Sequence, residues 1–142
     1  MIYLKEYNRF YESSSDEEIV SYLKDIFLEI EHDGFNVSID MSTSLYNFGR
    51  VYSILIYKSN IPLQNSPNES DRFKMKDILE TLLTTESYME SLGYRISLIQ
   101  TSEPNNRRSQ SDLTGYDSSV LKSGRKEQSR ETFTLKIEFA KK

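Results

Sequence analysis

Asp33-Gly34-Phe35-Asn36-Val37-Ser38-Ile39-Asp40 and, 59 positions on, Leu92-Gly93-Tyr94-Arg95-Ile96-Ser97-Leu98-Ile99 share one pattern: a glycine, an aromatic, then apolar residues alternating with polar ones. Glycine at such a point ends a helix in the left-handed backbone that other side chains disfavour, and period-two alternation makes a strand with one wet face. Each copy follows a helical stripe and precedes a second strand. The chain therefore reads as two α-β-β units, related either by duplication or by the physics that any helix-glycine-strand junction shares. Two such units predict an α+β two-layer sandwich, a four-stranded and mainly antiparallel sheet with both helices on one face.

Upstream of the first octet, Ser15-Asp16-Glu17-Glu18 is a capping box whose acids also complement the helix dipole. Ile19, Tyr22, Leu23, Ile26, Phe27 and Ile30 form the apolar stripe of the helix that follows. Downstream, Val51 to Tyr57 is apolar at nearly every position, so both faces of that strand want cover. The set facing away from the helices is drawn either from Tyr52, Ile54 and Ile56 or from Val51, Ser53, Leu55 and Tyr57. Tyr52, Ile54, Leu55 and Tyr57 are the candidate interaction face, covered by the amino-terminal segment, by a long loop or by a partner subunit.

Ser66-Pro67-Asn68-Glu69 is a second capping box and predicts a helix running to about Leu92, with Met75, Ile78, Leu79, Leu82, Leu83 and Met89 as its stripe. Tyr94, Ile96 and Leu98 then face the core, with Arg95 and Ser97 outward. Residues 102–130 lack apolar periodicity and read as one long loop. Phe133, Leu135, Ile137 and Phe139 alternate with polar residues in a closing strand.

Composition narrows the function. The 142 residues suit one domain of 15–142 behind an amino-terminal segment of 1–14, and a net charge of −4 argues against a general nucleic-acid binder. The absence of cysteine excludes disulfides and thiolate metal sites. No apolar run is long enough for a membrane span, and nothing resembles a secretory signal. His32, the single histidine, has no companion for a metal site or a triad and suits the carbonyl end of its helix. Glu29, Glu31, Asp33 and Asp40 have no loop spacing that would cage a cation and read as a solvated helix end. The serines lack an adjacent base, so no catalytic residue and no cofactor are expected. The long loop is basic by two while the rest of the chain is acidic by six. Its Arg107, Arg108, Lys122, Arg125, Lys126 and Arg130 are a candidate basic surface for nucleic acid or an acidic protein, with Tyr116 as the one stacking ring inside the loop.

Residues 2–12 carry Leu4, Tyr7 and Tyr11 at helical spacing and form a short aromatic helix that needs a surface to dock on. The stretch Leu4-Lys5-Glu6-Tyr7-Asn8-Arg9-Phe10-Tyr11-Glu12 resembles the targeting peptides that open the internal head proteins of T-even-like tailed bacteriophages, with Phe10 where that pattern has Leu or Ile. The resemblance implies that Lys5, Tyr7 and Phe10 are recognition positions for entry into the prohead and that Glu12 precedes a protease cut. It leads to the expectation of a non-enzymatic phage protein, virion-associated or packaged, that acts through protein contacts in the host cytoplasm or the virion. The alternative is an early phage factor that binds a host protein or nucleic acid through the loop of 102–130.

Overall fold

A computed structural model describes residues 16–43, 49–58, 72–104 and 111–141. Helix α1 (Asp16–His32) leads into strands β1 (Asn36–Thr43) and β2 (Arg50–Tyr57). A short strand β3 (Phe73–Lys74) and a 3-10 turn (Met75–Ile78) precede helix α2 (Leu79–Ser91). Strands β4 (Tyr94–Pro104) and β5 (Ser111–Tyr116) come next, followed by 3-10 turns at Ser118–Leu121 and Lys126–Ser129 and by strands β6 (Glu131–Thr132) and β7 (Thr134–Lys141). The α+β class holds, and the described sheet pairs are all antiparallel.

The main sheet has five strands in the order β1-β2-β7-β4-β5, and β3 pairs with β6 in a separate two-stranded ribbon. Within the first four strands, the second strand of each α-β-β unit lies inside and the first outside. The two units thus meet along the β2–β7 seam, where Ile54 stands opposite Ile137 and Tyr52 opposite Phe139. β5 is the departure: it lies inside the stretch expected to be loop and adds a fifth strand to the edge of β4. Its sequence, Ser-Asp-Leu-Thr-Gly-Tyr, has none of the apolar alternation that marks a two-sided strand. At Gly115 an added Cβ would come 3.4 Å from Leu98 Cδ1, which places the Leu98 side chain against the edge strand.

Both helices pack on one face and share a single core. α1 buries Ile19, Leu23, Phe27 and Ile30, while the 3-10 turn and α2 bury Met75, Ile78, Leu82 and Met89. These meet Tyr52, Ile54 and Ile56 of β2 and Leu135, Ile137 and Phe139 of β7, all fully buried. Each such aliphatic or aromatic side chain contributes about 1.5–3 kcal/mol by leaving water. Gly34 and Gly93 end the helices with φ of 98° and 89°, the left-handed backbone that the paired octets imply.

Two expectations need correction. The second helix begins at Leu79, because Phe73 and Lys74 are held in the ribbon opposite Thr132 and Glu131. Asp77 then starts the 3-10 turn by accepting a 2.9 Å hydrogen bond from the Lys74 backbone N–H. The Ser66–Glu69 box lies outside the described residues. Leu98 does not face the core either: a bulge at Ser97 shifts the β4–β7 pairing, turning Leu98 outward and bringing Ile99 into the interior.

Candidate functional site

The sheet face opposite the helices is built from four cross-strand rows. Tyr57 stands beside Asn36 and Thr134, Leu55 beside Ser38 and Lys136, Ser53 beside Asp40 and Glu138, and Val51 beside Ser42 and Ala140. β4 continues these rows with Ser102, Gln100, Leu98 and Arg95. The hydrophobic residues that the described helices and 3-10 turns bury all belong to the core on the other side, so these elements put no apolar side chain over this face. Val51, Leu55, Tyr57 and Leu98 are therefore only half-buried by their neighbours in the sheet. Near the centre, the Glu138 carboxylate pairs with Lys136 Nζ at 3.1 Å and accepts a hydrogen bond from Ser53 Oγ at 3.4 Å. The result is a broad surface of apolar patches around a polar middle.

The candidate interaction face divides between the two sides of the sheet. Successive strand residues point to opposite faces, so Tyr52 and Ile54 lie fully buried beneath the helices and leave the set, while Leu55 and Tyr57 face out. Tyr52 has a different task. Its hydroxyl donates to Asp16 Oδ1 at 2.6 Å, and Arg50 lies 3.2 Å from the same oxygen. This ties the first turn of α1 to β2, with a carboxylate at the positive end of the helix dipole. The Tyr94 ring meets Tyr52 edge-on at 5.3 Å, and Lys141 sits over Tyr94.

Burial, and then the hydrogen bond to Asp16, hold the Tyr52 phenol well above its ordinary value of 10.0. The neutral form is the one the fold accepts. The stability this supplies is whole below about pH 10 and drains away as pH rises further, since the unfolded tyrosine ionises first. Tyr52→Phe should cost about 1 kcal/mol at neutral pH and move the alkaline unfolding midpoint upward. Circular dichroism across an alkaline titration checks this, and an unchanged midpoint would contradict it.

The basic stretch is only partly described. Arg107 and Arg108 lie outside the described residues, as do Lys5, Tyr7, Phe10 and Glu12. Lys122, Arg125, Lys126 and Arg130 are exposed on the segment formed by the two later 3-10 turns. That segment is braced from within: the buried Gln128 amide donates to the carbonyls of Val120 and Lys122. Asp117 caps the first of these turns by accepting from the Ser119 hydroxyl and backbone N–H, which keep its carboxyl below the usual range. Arg125 is engaged with Glu127 at 3.3 Å. Its guanidinium is thus partly neutralised within the patch.

His32 is exposed in the last turn of α1, and among the described residues no group of three or more His, Cys, Asp or Glu could hold a metal ion. No described helix is long and apolar enough to cross a membrane. Tyr88, which the apolar stripe of α2 does not contain, stacks on Tyr22 of α1 with ring centroids 4.2 Å apart. The only sequence signal for this pair is that the stripe of α1 is wide enough to leave Tyr22 at its margin. Compared with protein-family models, with curated proteins and with solved structures, the chain matches none.

Proposed function

We propose that the chain is a tailed-phage protein, virion-associated or packaged, that works without catalysis by making protein contacts through the outer sheet face. The observation that carries this reading is the pair of central strands, β2 and β7, whose helix side is fully buried while Val51, Leu55 and Tyr57 remain half-exposed on the other. A broad, mostly polar sheet face with apolar patches around an ion pair suits a partner surface better than a small molecule, since among the described residues it has breadth and no enclosing walls. The resemblance of residues 4–12 to a head-targeting peptide supports a place in the particle and a cut after Glu12. Mass spectrometry of purified particles of the encoding phage tests this. Peptides of the chain, with an amino terminus at Ser13, are the expected result, and their absence from the particle would contradict it.

A second reading rests on the exposed Lys122, Lys126 and Arg130 on their braced segment. In that reading the chain is an early phage factor that binds a host protein or nucleic acid there. Binding would then weaken steeply with salt, and alanine at Arg107, Arg108, Arg125 and Lys126 would abolish it. Binding indifferent to those substitutions would end this reading.

A further inference from the structure

α1 and α2 run antiparallel, with Tyr22 against Tyr88 at one end and Glu29 and Asp33 near Asp77 and Glu80 at the other. Beyond the stacked rings, toward the second of these ends, the seam between them is not filled. A cavity of about 330 Å³ opens between the carboxyl-terminal half of α1 and the start of α2. A second, of about 580 Å³, runs over the solvent side of α2 to Tyr22. Glu80 and Thr84 line both, so the two depressions adjoin along α2 and are taken together as one shallow groove.

Its lining joins two features that soluble surfaces usually keep apart. Tyr22 and Leu83 are 52% and 42% exposed, and they are two of the three large apolar residues exposed among the described residues. Around them the charge is one-sided. α1 carries six acids against one lysine, and α2 carries three acids and no lysine or arginine. Lys76 is the single lysine or arginine lining either cavity. No described residue forms a salt bridge with Glu29, Asp33 or Glu80.

We propose that this groove is the docking site for a cationic amphipathic helix of a partner protein, lying between α1 and α2 with its apolar side on Tyr22, Leu83 and Tyr88 and its lysines or arginines against Glu29, Asp33 and Glu80. Charge complementarity selects the occupant. A second copy of the chain would bring an equally acidic helix layer, and like charge opposes that pairing. The chain's own residues 1–15 carry Lys5 and Arg9 against Glu6 and Glu12, so their side chains offer no net positive charge. Helical backbones are hydrogen-bonded internally and present no edge to a strand, whereas a third helix packs naturally along the groove between two others. The exposed Tyr22 ring adds a favourable seat for lysine or arginine. This surface lies on the opposite side of the sheet from Leu55 and Tyr57, so it stands or falls separately from the contact face proposed above.

The probe is a synthetic Leu/Lys amphipathic peptide of about 18 residues, roughly the length of α1, titrated into isotope-labelled full-length chain and followed by NMR. Amide shifts should concentrate around Tyr22, Glu29, Glu80 and Leu83. Affinity should fall about tenfold or more in the Glu29→Lys/Glu80→Lys double variant, whose exposed substitutions leave the core intact. The same peptide with Glu in place of Lys should not bind, and Leu55→Asp should leave binding unaltered. Shifts centred on the outer sheet face, or undiminished binding by the double variant, would overturn the proposal. So would a tenfold gain in affinity on deleting residues 1–12, which would show that the chain fills its own groove.

Discussion

Replacing Ile54 by alanine is expected to lower the unfolding free energy by about 2–5 kcal/mol, whereas the same change at Leu55 should cost about 1 kcal/mol. The two residues are neighbours of nearly equal size in one central strand. Ile54 is fully buried between the helices and Ile137, while Leu55 is half-exposed in the row of Ser38 and Lys136. Truncating Ile54 removes apolar contacts and leaves a cavity that a sheet hydrogen-bonded on both sides cannot close. A loss of that size is a large share of the roughly 5–15 kcal/mol typical of a domain, so Ile54→Val, at about 0.5–1.5 kcal/mol, is the safer form of the experiment. Denaturant melts of the paired variants read the difference. Equal losses at the two positions would mean that the faces of β2 are assigned wrongly.

The second large effect is expected at Gln128. Its buried side-chain amide is the donor to two backbone carbonyls, those of Val120 and Lys122, and it holds together two 3-10 turns that have little regular hydrogen bonding of their own. Gln128→Met keeps the length and much of the volume but removes the donor. Leaving buried carbonyls without partners should cost about 1–3 kcal/mol. The loss should be local first, with faster amide exchange across residues 117–130 before the main sheet weakens. Unchanged exchange in that segment would show that the amide is not what braces it.

These two positions also mark where sequence patterns carry structural information and where they do not. The stripe of α1, the glycine stops at Gly34 and Gly93 and the alternation in β1 and β7 are local signals with a period, and each corresponds to an element of the fold. β2 is different. Its residues are apolar at nearly every position, unlike those of the equally central β7, so its composition does not say which of them meet the helices. Only the pairing of Tyr52 with Phe139 and of Ile54 with Ile137 decides it.

The segment after β4 was obscured for the opposite reason. β5 is polar because it lies at an edge, and Val120 and Leu121 enter the core from a short 3-10 turn with no period to read. Gln128, a polar residue whose value lies in two carbonyls several residues away, has no sequence signature at all. The bulge at Ser97 is similar: one extra residue inverts Leu98 and Ile99 without disturbing the alternation before it. The interhelical groove depends on Tyr22 and Leu83 standing at the margins of their stripes. A stripe wider than the buried face predicts that some of it stays in solvent, but not what gathers around it.

The central claim is that the outer face of the sheet is a contact surface in the particle. On the proposed reading of the chain as a phage protein, the most direct test is the number of copies per purified virion when the encoding phage carries Leu55→Asp and Tyr57→Asp. Both residues point away from the core, so the isolated double variant should keep its cooperative melt. The account predicts that incorporation nonetheless falls by about tenfold or more, the loss of roughly 1.4 kcal/mol of contact energy. Wild-type copy number in those particles would contradict it.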